Sequence, residues 1–270
     1  MKKKDGISKE HLLYIRKLKL ETVIVWMLRI FLLIFLLGLW ELLARTGVMD
    51  PFITSYPSEI LVTIKELFAE NNLLYHIGIT LYETVLGFII AAGLGYIIAL
   101  MLWWSERARR VLEPYIVVLN SLPKIALGPV IIVWCGSGSK AIIFMAVLIG
   151  IIVAIITMLN GFLAADKNKI FLLRSMGANK FQILLKLIIP GSLPTFISML
   201  KISVGMAWIG SIMGEYLVSR AGLGYLIVYG GQVFKLDLVM AATVVLCVLA
   251  ALMYALVALL EKLIIKYKAD

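Results

Sequence analysis

Two cysteines and two histidines are all that a chain of 270 residues carries. Cys135 closes one apolar run and Cys247 lies inside another. Neither has ligand spacing around it, so a disulfide scaffold and a zinc site are both excluded. Charge is equally sparse. Asp, Glu, Lys and Arg make up 16% of the chain, against about 25% in an ordinary soluble domain. H-E-x-x-H, G-x-S-x-G and Walker A sequences are also absent, which removes zinc peptidase, serine hydrolase and in-chain nucleotide hydrolysis. The stretch GLGYLI at 222–227 is too short and misplaced for a dinucleotide loop. No catalytic residue, metal ligand or bound cofactor is expected.

What the chain has instead is apolar surface. It is 62% hydrophobic with a mean hydropathy of +1.02, more than soluble packing hides in a chain of this size. The expectation is a polytopic membrane protein. A net charge of +10 would point a soluble protein toward nucleic acid. Here the cations sit in short loops between apolar runs, where they set topology, and no nucleic-acid partner is expected.

A bilayer-crossing helix needs about 20 mostly apolar residues. Six spans are predicted, at roughly 22–44, 80–103, 114–134, 140–160, 190–214 and 238–261. The basic N-terminus MKKKDGISKEHLLYIRKLKLE precedes the first. That run ends in WELLART without small residues at a cleavage site, so it reads as a retained span rather than a signal peptide. The third run is broken by Pro123 and Pro129, and Pro190 opens the fifth.

With the N-terminus inside, only Arg45, Lys65, Lys140, Arg220 and Lys235 of the 26 Lys and Arg fall in outside loops, and Arg29, Lys124 and Lys201 lie within spans. Every other cation falls inside, so both termini are predicted to be cytoplasmic. Outside, YPSEILVTIKELFAENN (56–72) has Pro57 in a first-turn position and Ser58 as a cap. Ile60, Ile64, Leu67 and Phe68 follow at helical spacing, which predicts an interfacial or external helix packed on the bundle. The glycines in 215–237 predict turns and close packing.

Gly87, Ala91 and Gly95 recur every four residues on the second span, as do Gly210 and Gly214 on the fifth, the pattern of close helix packing. Charges inside spans face a cavity or a partner. In NSLPKIALGP the prolines free backbone carbonyls beside Lys124. This stretch is either pathway-lining or a kink that shapes the bundle. Asn120, Ser121 and Lys124 are candidates for a translocation path, with Lys201 and Glu215 further along. Glu83 and Glu215 lie near the outer ends of their spans, Glu83 readable as interfacial and Glu215 as solvated or paired with a cation.

Between spans four and five lies FLLRSMGANKFQILLKLIIPGSLP (171–194). Phe171, Leu172 and Arg174 lead to Met176, Gly177 and Ala178. Beyond Asn179, Phe181, Leu184, Leu185 and Ile188 repeat at i, i+3, i+4 and i+7, with Asn179, Gln182 and Lys186 opposite. Gly177 permits a bend between two short helices, and on spacing alone the amphipathic helix is either a docking element or a segment lying in the lipid headgroups.

This segment resembles the cytoplasmic signature of the permease subunits of binding-protein-dependent ABC importers. The signature is E-A-A, three residues, Gly, nine residues, then I-x-L-P. Gly177 matches the glycine, and Leu187, Ile188, Ile189 and Pro190 the last four positions. Phe171, Leu172 and Leu173 stand where E-A-A is usual, which puts one polar contact in doubt. YPSEI, LPKIALGPVIIVWCGSG, MGANKFQILLKLIIPGSLP and GEYLVSRAGLGYLI resemble, in this order, the nitrate/sulfonate/taurine-type branch. The resemblance runs from about Leu37 to the last span.

The resemblance implies an all-α, type I importer-like fold of about six spans, with a coupling helix at about 169–186. The domain plan is a basic N-terminal segment (1–21), a first span with the external helix (22–79), a permease core (80–262) and a cytoplasmic tail (263–270). It implies that Phe171, Leu172, Arg174, Met176, Gly177, Ala178, Lys180 and Phe181 dock a cytoplasmic ATPase. ATP and Mg would then be used by that partner. It further implies an external substrate-binding protein, a second permease chain forming a homodimer, a bacterial cytoplasmic membrane with its lipid, and a small organic or inorganic anion such as a sulfonate, taurine or nitrate. The alternative is a stand-alone secondary transporter or channel, although the chain halves show no clear repeat and buried carboxylates at depth are wanting.

Overall fold

The computed structural model describes residues 9–69, 72–218 and 220–265. The first eight residues of the basic N-terminal segment and residues 266–270 of the expected tail lie outside them. Every regular element among the described residues is helical. Contacts divide the chain into two units, Met1–Val62 and Thr63–Asp270.

The first unit holds α1 (Lys9–Arg45), α2 (Pro51–Thr54) and the start of α3 (Pro57–Ala69). Residues 17–45 of α1 are long and apolar enough to cross a membrane. Trp26, Phe31, Leu33 and Ile34 on it are all exposed, as a lipid-facing helix requires. The helix expected within 56–72 forms at Pro57–Ala69, but its cap is not Ser58 alone. Pro57 has no N–H, so Ser58 supplies the first free donor. That N–H donates to Glu41 Oε2 at 3.0 Å and the Ser58 hydroxyl to Glu41 Oε1 at 2.7 Å. A carboxylate at a helix N-terminus also answers the helix dipole. Arg45 donates to the same Glu41 oxygen at 2.7 Å. The Tyr56 hydroxyl donates to the Glu59 carboxylate at 3.1 Å, which holds the phenol above its ordinary pKa.

The second unit carries the remaining spans. α4 (Asn72–Trp104) is followed by α5 (Glu106–Ser121), a 3-10 turn at Lys124–Leu127 and α6 (Gly128–Cys135). Next come α7 (Ser139–Leu163), α8 (Lys167–Ser175) and α9 (Lys180–Ile183). A π turn at Leu184–Ile188 leads through α10 (Ile189–Gly191) to α11 (Leu193–Val218). α12 (Leu223–Gln232) and α13 (Leu236–Ile265) complete the chain.

α4 starts well before residue 80. The added turns mix His76 and Gly78 into the apolar run, which hides them from a hydropathy reading. They stay helical because Leu73 packs against Leu223, Leu226 and Ala242. The third span is bent by 86°. Leu122 precedes Pro123 and is extended, at φ −67 and ψ 138, because a proline disfavours the helical conformation of the residue before it. Pro129 then sits in the first turn of α6, where no N–H is missed.

α7 is the axis of this unit. It packs against α4 on one side and α11 on the other. Ala146, Ala154 and Met158 on it are fully buried. The small residues expected to mediate packing do so. A Cβ on Gly87 would stand 2.5 Å from the Ala146 Cβ, and one on Gly214 would stand 2.9 Å from the Ile142 Cα. Lipid gives no hydrophobic drive between spans, so this close backbone approach supplies the contact.

The fifth span begins at Leu193 rather than Pro190. Pro190 has no N–H to return to the preceding turn, and the helix widens into the π turn just before it.

Candidate functional site

The turn between α8 and α9 is built from three local rules. Asp166 caps α8 by accepting from the Asn168 N–H at 2.8 Å. At its other end the Ala178 N–H reaches Leu173 O at 2.9 Å, and the Gly177 N–H reaches Arg174 O at 2.9 Å. This paired closure needs a left-handed residue, and Gly177 has φ +82. Asn179 then caps α9 reciprocally with Gln182, at 2.8 and 2.9 Å. The glycine bend expected from sequence is therefore present, with a reason for each flanking residue.

The segment is amphipathic, though not in the expected register. Ile183, Leu184 and Ile188 are buried, with Ile170, Leu173 and Ala178 packed against the same core. Leu185 and Phe181 are exposed, although an ideal helix places both beside Leu184 and Ile188. The π turn adds a residue to the helical turn and rotates the face. Phe171 is 72% exposed, Leu172 59%, Met176 74% and Phe181 56%. These large apolar side chains form a surface on a short, polar-flanked element.

Arg174 and Lys180 differ from their apolar neighbours. Lys180 turns back onto the bundle. Its ammonium donates to Trp104 O at 2.5 Å and lies 5.6 and 5.2 Å from the Trp103 and Trp104 rings.

The path candidates do not form one cluster. Asn120, Ser121 and Lys124 come together at the break of the third span. Ser121 Oγ donates to Val117 O at 3.2 Å, and Lys124 Nζ to Asn120 O at 3.2 Å. Asn120 and Ser121 are exposed, and Lys124 is half-buried. Lys201 instead makes an ion pair with Glu261 on α13.

Glu215 is not solvated, and no described residue pairs it with a cation. It is 1% exposed and takes part in a network that sequence reading did not find. The first three N–H groups at the start of α12 are each held by a side chain. Gly222 N–H donates to His76 Nδ1 at 2.9 Å, Leu223 N–H to Thr80 Oγ1 at 2.8 Å and Gly224 N–H to Glu215 Oε2 at 2.5 Å. The Thr80 hydroxyl in turn donates to Glu215 Oε1 at 2.7 Å. Glu83, also 1% exposed, lies beside Ser139 and Glu215, and its Oε2 has no hydrogen-bond partner among the described residues. An interfacial reading of Glu83 fails with that burial.

The glycines of AGLG make room for this network. A Cβ on Gly222 would stand 2.5 Å from the Glu215 carboxyl, and one on Gly224 would stand 2.8 Å from it. The sequence signal available was a carboxylate inside a span, which requires polar partners. His76 and Thr80 carry no such mark.

An all-helical bundle of membrane-spanning length, with a short helical pair exposing apolar side chains between two spans, defines a polytopic membrane protein. Comparison with known proteins narrows the class. A family model described as the binding-protein-dependent transport system inner membrane component matches residues 84–266. The chain belongs to this family, and is the membrane-spanning permease subunit of an ABC importer. A stand-alone secondary transporter or channel is thereby set aside.

A permease of Bacillus subtilis (strain 168), named for aliphatic sulfonates transport, is 28% identical over 90% of this chain and 88% of its own. The formylaminopyrimidine transport permease protein of Halalkalibacterium halodurans is 28% identical over 86% of this chain and 92% of its own. In the fold comparison, a bacterial alginate ABC transporter solved in complex with a pentasaccharide-bound periplasmic protein superposes with a TM-score of 0.64. It covers 93% of this chain and 95% of the matched one at 16% identity.

Proposed function

We propose that α8, Gly177 and α9 form the coupling element that docks a separate cytoplasmic ATPase, which uses ATP and Mg while this chain forms half of a solute path. The observation that carries this reading is the exposure of Phe171, Leu172, Met176 and Phe181 on a rigidly capped turn. In water such a set is a helix-in-groove anchor. The turn's inner face is buried in the core beside α4 and α7, so a displacement of the docked segment is carried into the spans. The chain carries no Walker A sequence, and on this reading it is the transport subunit while ATP is hydrolysed by the partner.

The same reading puts both termini and the coupling element on the cytoplasmic side of a bacterial cytoplasmic membrane, following the Lys and Arg bias. A second copy of the chain completes the path. Asn120 and Ser121, together with Tyr115, Val118 and Leu119, are exposed along α5 in a single chain, which leaves the broken span free to face a partner. An external binding protein delivers the solute. The substrate is a small organic or inorganic anion of the sulfonate, taurine or nitrate kind. The sulfonate-named relative and the half-buried Lys124 at the break favour an anion.

The test has two parts. The chain, isolated with its native partners, is expected to bring down an ATP-hydrolysing subunit. Gly177→Leu is expected to abolish uptake or ATPase attachment while membrane insertion persists, because φ +82 strains any side chain and the surrounding space is open. Isolation without an ATPase, or full uptake by Gly177→Leu, refutes the proposal.

A further inference from the structure

A cavity of about 210 Å³ lies where the α4–α5 corner meets α8 and α9. It is lined by three cations, Arg109, Arg174 and Lys180, with Glu106, Trp103 and Ile170 beside them. Glu106 does not balance the three. Its carboxylate is engaged by Arg110 at 2.6 Å, and Arg109 reaches it only at 4.0 Å. The Arg109 side chain is nevertheless only 23% exposed. Three cations brought to one cavity from three different helices, with Arg109 half-buried among them, call for an anion with several acceptor oxygens.

The position identifies which anion. Ile170 and Arg174 are four residues apart on α8 and share a face. Ile170 packs into the bundle core, so this face is the one turned toward the spans, while Phe171, Leu172 and Met176 are exposed. Arg174, although exposed, therefore lines the cavity from this face. Lys180 is drawn the same way by Trp104 O and the two indoles. Tryptophans mark the depth of lipid headgroups. Basic pockets between spans at the cytoplasmic surface take anionic headgroups.

We propose that this cavity binds the phosphodiester of one anionic phospholipid, which ties the α4–α5 corner to the coupling element. The inference rests on the cytoplasmic placement of α8 and α9 given above. It makes coupling dependent on lipid charge as well as on the ATPase.

The test is native mass spectrometry of the full chain with its co-purifying subunits, released from bilayer discs containing phosphatidylcholine and phosphatidylglycerol. Wild type is expected to retain one phosphatidylglycerol per chain in preference to phosphatidylcholine. The Arg109→Gln/Arg174→Gln double variant is expected to lose that preference by roughly 30-fold, and Arg109→Lys/Arg174→Lys to keep most of it. Equal retention by wild type and the Gln variant overturns the proposal. So does displacement of the lipid by millimolar inorganic phosphate, which would mark a site for a free anion. Loss of the ATPase from the Gln variant at unchanged lipid retention would assign the cations to a protein carboxylate and also overturn it. Should the Gln variant fail to accumulate, a photoactivatable phosphatidylglycerol decides with wild type alone. Labelling within 103–110 or 163–183 supports the site, and labelling only elsewhere refutes it. Failure of the cytoplasmic placement itself would show separately, as Met176→Cys reacting with an impermeant thiol reagent from outside intact cells.

Discussion

Thr80→Val isolates the cap of α12 from its surroundings. The replacement keeps the shape of the side chain and removes one oxygen. That oxygen accepts from the Leu223 N–H at 2.8 Å and donates to Glu215 at 2.7 Å. Both partners lie in a region that water does not reach, since Thr80 and Leu223 are fully buried and Glu215 is 1% exposed. Each buried group left without a partner costs about 1–3 kcal/mol. The loss is therefore roughly 2–6 kcal/mol, concentrated at the start of α12, and a factor of ten accompanies each 1.4 kcal/mol or so. Hydrogen exchange on protein held in lipid discs is the assay. Amides 222–226 are expected to lose protection by at least about thirtyfold, while those in α7 stay protected. Thr80→Ser, which keeps the hydroxyl, is expected to stay close to wild type. Unchanged protection at 222–226 in Thr80→Val would refute the capping argument.

The glycine stripe gives a paired test. A Cβ on Gly95 meets the Ala154 Cβ at 2.5 Å, whereas one on Gly93 meets nothing within 4 Å. Gly95→Ala is expected to cost about 1–3 kcal/mol and lower the melting temperature, and Gly93→Ala to leave it unchanged or slightly raised. Lys201 and Glu261 form a half-buried pair. Lys201→Met alone is expected to destabilise by roughly 1–3 kcal/mol, with Lys201→Met/Glu261→Gln recovering much of it in a double-mutant cycle. Gly177→Ala places a Cβ on a left-handed residue at a cost of about 1–2 kcal/mol. It is expected to slow uptake more than it lowers the melting temperature.

The spans were legible because bilayer thickness imposes a length that composition reports directly. The turn between α8 and α9 was legible in part. Gly177 and Asn179 announce a turn through local backbone chemistry, so the bend could be read from two residues. The face presented beyond Asn179 could not be, because the π turn before Pro190 shifts the register by an amount that depends on packing against α7. The break in the third span was written in Leu122-Pro123, but the size of the bend was not. The network around Glu215 was the least visible. Thr80 and His76 are ordinary residues on a helix until Glu215 and the backbone of Gly222–Gly224 are brought to them by contacts more than a hundred residues apart in sequence. Lys201 shows the same limit, since a lone cation in a span reads alike whether it faces a path or a carboxylate on another helix.

The central claim is that the exposed turn around Gly177 meets an ATPase. It is tested most directly by placing a photoactivatable amino acid at Met176, which is 74% exposed, and a control at Phe234 beyond the far end of α12. After illumination of membranes holding the assembled importer, Met176 is expected to give an adduct that contains an ATP-hydrolysing subunit, and Phe234 none. An importer that is active in uptake yet yields no such adduct at Met176, or yields it equally at Phe234, would contradict the account.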